Sequence, residues 1–455
     1  MNKTRFLILQ MLTLIVGICI FSSCSGDDYV NSIPANSNAL ISIDTKKFDG
    51  LKENGLIKSL LQTDDIEKCG IDLTTKIYFF ETTDGNLGCC MKVSDKSDVD
   101  DWLKVLNDKR LCSKATERKG RSFALLQNKW ALGYSDKAFI ILGPILPTQQ
   151  AEAARTIDKY LKQDEDHGIK STPMFDKVDS IDSPVAIVAQ VDALPEKLAA
   201  PFTIGVPKDA DASQLCIAAS IGLPKNGCLE ITGQPFSFDN NIDKNIKTSI
   251  AKLRAIKGKY LSNIPGNALC SIFMNINGKE LVDMMHNSAP LGVLLAGMNT
   301  AVDMDNILRS VDGEIAFGIS AFAEDNVKMS MVAQLANSNF LADVDYWKKS
   351  CQQGSSIVNR GKNRYEYVSN KACFTFGVSD SKEFYASHDE KEATAILTQS
   401  NEPLPEKVKQ AATGKRFCMI LNTNTLEAGN DGSSAFTGLA HQLLGNIGYI
   451  VYTIK

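Results

Sequence analysis

The stretch Ile33-Pro34-Ala35-Asn36-Ser37-Asn38-Ala39-Leu40-Ile41-Ser42-Ile43 decides the reading of this chain, because it returns as Ile264-Pro265-Gly266-Asn267-Ala268-Leu269-Cys270-Ser271-Ile272. The echo continues in one order. Ile77-Tyr78-Phe79 matches Ile315-Ala316-Phe317, and Asn86 to Met91 matches Asn326 to Met331. Val99-Asp100-Asp101-Trp102 matches Val344-Asp345-Tyr346-Trp347, and Gly133-Tyr134-Ser135-Asp136 matches Gly377-Val378-Ser379-Asp380. The spacing drifts from 231 at Ile33 to 245 at Val99, as insertions in loops would make it. Ordered self-similarity of this kind marks an internal duplication.

Each copy reads as alternating strands and helices. Ala39 to Ile43 is small, apolar and β-prone, and Lys46 to Leu61 has helical spacing at Phe48, Leu51, Leu56 and Leu60. Ile77 to Thr82 and Leu87 to Val93 flank Asp84-Gly85-Asn86, a hairpin signal. In the second of these strands Leu87, Cys89, Met91 and Val93 alternate to one face. Ser97-Asp98-Val99-Asp100 opens a helix whose Val99, Trp102, Leu103 and Leu106 share one apolar face. Strands at 123–126 and 139–142 follow. The order β-α-β-β-α-β predicts an α+β fold of two tandem similar domains. Each is an antiparallel sheet with helices packed on it, in the split βαβ order of ferredoxin-like plaits. The expected boundaries are 33–240 for the first repeat, 241–260 for a linker helix lined by Ile242, Ile246, Ile250 and Leu253, and 261–455 for the second. Copy one ends in a hairpin, whereas copy two has one final strand at Ile447 to Ile454, expected to lack a partner or to find one elsewhere in the chain.

The N-terminus supplies an address. Lys3 and Arg5 precede an apolar run from Phe6 to Phe21, short of the roughly 20 residues that a spanning helix needs. A charged start, a short apolar core and small residues before a cut site make a secretory signal, here 1–23. Ser22-Ser23-Cys24 resembles the lipobox of bacterial lipoproteins, with Phe21 where Leu is usual. That resemblance implies a diacylglycerol on Cys24, membrane lipid as a partner, and a lipidated tether over 24–32. Ser25 to Ser32 would extend at most ~28 Å. Ser25-Gly26-Asp27-Asp28 resembles the acidic surface-export signal of Bacteroides-type lipoproteins, with a plain solvated tether as the alternative. The expected location is therefore the outer membrane, on its periplasmic or surface-exposed side. The lipobox, the Ile-Pro-Ala start and the small-apolar strand with a polar stop are together similar to a Bacteroides-type lipoprotein family carrying domain of unknown function 4836. The resemblance covers most of the mature chain, implies address and architecture, and transfers no active-site residue.

Composition excludes some functions. Beyond the signal, 47 basic residues face 53 acidic ones, a net charge of −6 that argues against nucleic acid. Ten cysteines remain beyond Cys24 without any C-x-x-C, and most sit in apolar runs, as buried thiols do. His167, His286, His388 and His441 lack i+4 partners, so no helical zinc pair exists. Asp303-Met304-Asp305 with Glu314 mimics a calcium loop in length but carries Leu308 where the turn needs Gly. Gly414-Lys415-Arg416 lacks the upstream Gly of a phosphate loop, and no G-x-S-x-G is present. No catalytic, cofactor-binding or metal residue is assigned. Asp179-Ser180-Ile181 resembles the acceptor of Bacteroides O-glycosylation, which makes Ser180 a candidate, with a helix cap as the plain alternative. The expectation is a non-catalytic cell-envelope lipoprotein with a binding or scaffold role toward an unknown protein or glycan. The alternative is an envelope hydrolase built from scattered residues.

Overall fold

The structure, a computed structural model, describes residues 26–48, 68–193, 212–287, 302–323, 326–370, 373–428 and 447–454. The signal, Cys24, most of the expected 46–61 helix and His441 lie outside them. The chain is mixed α and β, with mostly antiparallel pairing, and divides by its contacts into Met1–Ser180 and Ile181–Lys455.

In the first unit the strands are β1 (Ala39–Ile43), β2 (Ile77–Glu81), β3 (Leu87–Lys92), β4 (Thr116–Arg118), β5 (Arg121–Leu126), β6 (Trp130–Tyr134) and β7 (Ala138–Gly143). They run β4-β5-β6-β7-β3-β2-β1, every pair antiparallel. Helix α1 (Lys96–Asp108) starts where the Asp95 carboxylate accepts the Ser97 and Asp98 amides. It buries Val99, Trp102, Leu103 and Leu106, the face read from their spacing, and the Trp102 ring lies 5.8 Å from that of Phe139. Helix α2 (Gln150–Tyr160) covers the other face. Its Ile157 seats against Gly133, where a Cβ would fall 2.6 Å from Ile157 Cγ2. Helix α3 (Pro173–Asp179) follows. Asp28–Ser32, expected to be free tether, forms a 3₁₀ turn that buries Tyr29 and Val30, so the fold begins ahead of Ile33.

The second unit holds β8 (Val185–Gln190), β9 (Leu215–Ile221), β10 (Cys228–Ser237), α4 (Asn240–Ala251), β11 (Cys270–Asn277), α5 (Gly278–His286) and α6 (Met304–Arg309). It continues through β12 (Val311–Ala323), β13 (Asn326–Leu335), α7 (Val344–Ser350), β14 (Ser356–Gly361), β15 (Arg364–Val368), β16 (Cys373–Val378) and β17 (Glu383–Ser387). It ends with α8 (Glu390–Ala395), α9 (Glu406–Ala412), β18 (Phe417–Asn422), α10 (Thr423–Ala428) and β19 (Tyr449–Ile454). The strands run β8-β9-β10-β19-β18-β11-β12-β13-β17-β16-β15-β14. Among the described strand pairs of this unit, only β10 and β19 run in parallel. Both sheet faces are apolar and alternate along each strand, as residues of period two must. Phe417, Ile454, Ile315 and Phe384 pack with α4 to α7, while Cys418, Val451, Ala316 and Tyr385 pack with α8, α9 and the 256–268 segment.

Four expectations change. A split βαβ would keep β1 and β2 apart, yet β1 pairs directly with β2, and β11 with β12, both antiparallel, so neither unit is a ferredoxin-like plait. The unit boundary falls at 180/181 rather than 240/241, because the β8-β9-β10 run is laddered to β19. The linker helix stops at Ala251, since the amides beyond it are taken elsewhere: Lys257 and Lys259 donate to the Glu314 carboxylate at 2.6 and 2.7 Å, and Ile256 donates to the Lys415 carbonyl at 2.8 Å. Finally, Cys89 stands opposite Phe79, and the residue opposite Phe317 is Met331, not Met329. The β12–β13 ladder runs on to Ala323 opposite Asn326, and β12 carries an irregularity between Ile319 and Ala321, so aligning Asn86 with Asn326 slips the strand by two. A two-residue slip leaves every side chain on its own face, which is why alternation did not expose it. Residues 449–454 find their second neighbour in β10.

Candidate functional site

The second unit carries an open cleft of ≈ 500 Å³ at one end of the α8/α9 face. Its floor includes Gly318 on β12 and Ser330 on β13 opposite it, with Ser387 on β17 buried alongside Ser330. Its walls come from the 263–268 turn and from the segment running off α8 through Glu402. The repeated Ile-Pro-Gly-Asn motif therefore lines the cleft through Pro265 and Asn267. The turn is held by Gly266 N–H donating to the Glu402 carbonyl at 2.7 Å and by Asn422 Nδ2 donating to the Gly266 carbonyl at 2.8 Å. Gly266 is required there, because a Cβ would lie 2.9 Å from the Pro403 carbonyl oxygen.

Beside the floor stand a histidine and a carboxylate. Ser330 Oγ is 2.8 Å from Ser387 Oγ, Ser387 Oγ is 3.5 Å from His388 Nδ1 and 3.3 Å from Glu392 Oε2, and Glu392 Oε2 is 3.7 Å from His388 Nδ1. The sequence shows no i+4 partner histidine for His388 and does not reveal this group, because its members are joined by strand pairing and a helix turn. Hydroxyl, imidazole and carboxylate suggest a nucleophile triad, but the geometry is different. A triad places its acid and its hydroxyl on opposite ring nitrogens. Here both converge on Nδ1, the imidazole contact is at the limit of a hydrogen bond, and Ser387 is buried. Ser387 also accepts the Asp389 amide at 3.4 Å, ahead of α8, which Asp389 caps. The cluster organises a helix start.

The remaining candidates disperse. His167 is exposed and pairs with Asp164; the hydrogen bond to that carboxylate raises the His167 pKa above its ordinary value. His286 Nε2 is 3.1 Å from Asp305. Asp303 caps α6, accepting the Asn306 amide at 3.0 Å, while Glu314 binds backbone amides, so the calcium-like spacing assembles nothing. Among the described residues no three His, Cys, Asp or Glu side chains gather to hold a metal ion, and no helix is long and apolar enough to cross a membrane. The ten cysteines beyond Cys24 are free thiols, seven of them buried. Burial pushes the Cys216 and Cys228 thiols up to about 11 and Cys270 up to about 12, away from the thiolate that nucleophilic chemistry needs. Several cations around the linker are paired: Lys247 with Asp243, Lys252 with Glu280, Arg254 with Asp312 and Lys259 with Glu383. Ser180 is exposed just past α3, its hydroxyl donating to the Lys177 carbonyl at 2.7 Å, and the neighbouring Asp179 meets Lys76 at 2.7 Å. A second cleft, in the first unit, is rimmed by charges that neutralise one another, Lys137 with Asp28 and Arg121 with Asp158.

Fold and cleft together define a mixed α and β protein with extensive antiparallel pairing and an open recess in its second unit. The chain belongs to the family described as Domain of unknown function (DUF4836), whose model matches residues 51–416. No curated protein and no solved structure matches it.

Proposed function

We propose that the chain is a non-catalytic cell-envelope lipoprotein, held to the outer membrane by lipid on Cys24, whose second unit binds a ligand in the 263–402 cleft. The observation that carries this reading is the converged contact of Ser387 and Glu392 on one nitrogen of His388, beside an otherwise open polar cleft. A fluorophosphonate probe should leave Ser330 and Ser387 unmodified, as read by peptide mass. Covalent labelling of either would turn the reading to an envelope hydrolase.

The architecture behind it is a tandem duplication, and matched registers support that. Ile41, Phe79, Cys89 and Ile141 stand side by side across β1, β2, β3 and β7. Ile272, Phe317, Met331 and Ala386 do so across β11, β12, β13 and β17. In both, the next strand places a glycine in the adjoining row, Gly133 opposite Ile140 and Gly377 opposite Tyr385. Trp102 and Trp347 each sit buried on the helix after the hairpin. The anchor fits the early start of the fold: three residues, Ser25 to Asp27, separate Cys24 from the 3₁₀ turn, a reach of about 10 Å. Ser180 as an O-glycan acceptor belongs to the same envelope reading, and equal glycan mass on wild type and Ser180→Ala would exclude it.

A further inference from the structure

Matched registers allow the two units to be compared residue by residue on the cleft floor. In the first unit the row is Leu40, Phe80, Gly88, Leu142 and Ala131, on five adjacent strands. In the second it is Ser271, Gly318, Ser330, Ser387 and Thr375. Phe80 is buried and its ring lies over Gly88, where a Cβ would meet ring carbons at 2.1 to 2.5 Å. The first unit thus plugs this position with an aromatic ring. The second has glycine in place of that phenylalanine and serine in place of that glycine; the Ile264 side chain covers part of Gly318, 3.1 Å from where a Cβ would fall, and beside it Gly318 and Ser330 line an open recess. Four hydroxyl side chains and a glycine have replaced five apolar or small positions in one row. Buried hydroxyls cost stability compared with a packed ring, so the exchange does not serve packing.

The lining then restricts the ligand. Many of its lining residues carry neutral amides or hydroxyls, among them Asn263, Asn267, Thr398, Gln399 and Asn401, with Glu392 and Glu402 as its charges, and Pro265, Ala395 and Ile396 add apolar surface. No Lys, Arg or His lines it, which disfavours anionic ligands, and no aromatic side chain lines it to stack on a flat hydrophobe. The carboxylates are engaged, Glu402 Oε2 by Asn267 Nδ2 at 3.3 Å and Glu392 by Ser387, so they do not converge on a cation. Gln399 and Asn401 are exposed and make no hydrogen bond with the described residues. Each amide offers one acceptor and a donor side by side, the pattern that vicinal hydroxyls match. The volume lies in the range of small-ligand sites, about 300–1,000 Å³.

We infer that the recess over Gly318 and Ser330, open in the second unit where Phe80 closes the first, binds a neutral saccharide. This deepens the binding reading above and rests on it. The test uses the full mature chain with maltotriose, mannotriose and N-acetylchitotriose as neutral probes, and spermidine and tetraglycine as a cation and a neutral peptide. Binding is read by titration calorimetry and saturation-transfer NMR. Two variants accompany the wild type. Gly318→Phe with Ser330→Gly rebuilds the pair that closes the first unit, and Asn401→Ala changes an exposed wall residue that folding does not need. At least one neutral trisaccharide should bind the wild type and weaken at least about tenfold in the plugged variant and measurably in Asn401→Ala. No saccharide binding up to about 10 mM overturns the inference, as does binding that both variants leave unchanged. Spermidine or tetraglycine binding alone, lost in the plugged variant, overturns the saccharide class while leaving the cleft as the ligand site.

Discussion

Glu314 is 4 % exposed, and its two carboxylate oxygens accept the Lys257 and Lys259 amides. The residue read as the end of a calcium-like loop is instead the clamp that fixes the passage from α4 to β11. Next to it, Tyr260 Oη donates to Glu383 at 3.1 Å, and Lys259 Nζ lies 2.9 Å from the same carboxylate. Glu314→Ala leaves two amides without acceptors, each costing about 1–3 kcal/mol, so urea unfolding should show a loss of about 3 kcal/mol. A loss below about 0.5 kcal/mol would show that water replaces the carboxylate. His167 offers a residue-scale test in solution. Its hydrogen bond to Asp164 holds its pKa above the ordinary histidine value. The pair's contribution is therefore complete below the unfolded pKa and fades as pH rises through the folded one. NMR titration should find the raised value, and Asp164→Asn should return it toward normal. An unshifted wild-type titration would show the pair to be absent in solution.

Residues 449–454, as β19, stand between an antiparallel neighbour, β18, and a parallel one, β10. They bury Val451, Tyr452 and Ile454, and the Tyr452 ring covers Gly233, where a Cβ would fall 2.4 Å from it. Removing 449–455 should strip two ladders of their partner and about 1.5–3 kcal/mol for each buried side chain. The second unit should then aggregate or unfold, visible by size exclusion and circular dichroism. A monomeric truncated chain with native circular dichroism would show that β19 is dispensable. Elements like this one were legible in part. The face of α1 could be read because Val99, Trp102, Leu103 and Leu106 follow helical spacing toward one core, and the burial observed is that face. Strand pairing was not legible. Alternation says which side chains share a face, not which strand lies alongside, so the β1–β2 contact and the two-residue slip at Met331 emerged only from the register. The cleft was hidden for a related reason. Gly318 and Ser330 come from different strands, and small residues leave no periodic signal; Pro265, Asn267, Ala268 and Ser330 belonged to stretches that repeat in the sequence, but the repeat did not say that they meet.

At the scale of the whole molecule, address and architecture rest on different residues. The proposed anchor is Cys24, and Cys24→Ala should abolish metabolic labelling with a fatty acid and leave the protein uncleaved or soluble; labelling at the wild-type level would refute it. The proposed duplication rests on an echo that keeps its order along the sequence, whereas the division at 180/181 left no mark there, because it depends on a ladder between distant strands. That ladder has a bearing on how the protein is made. Thr232 on β10 and Thr453 on β19 face each other across 221 residues of chain. Long-range pairing must wait for the later segment to arrive. This topology gives the second unit a built-in delay. Until residues 449–454 arrive, the facing edges of β10 and β18 cannot be joined, and the sheet of the second unit cannot close.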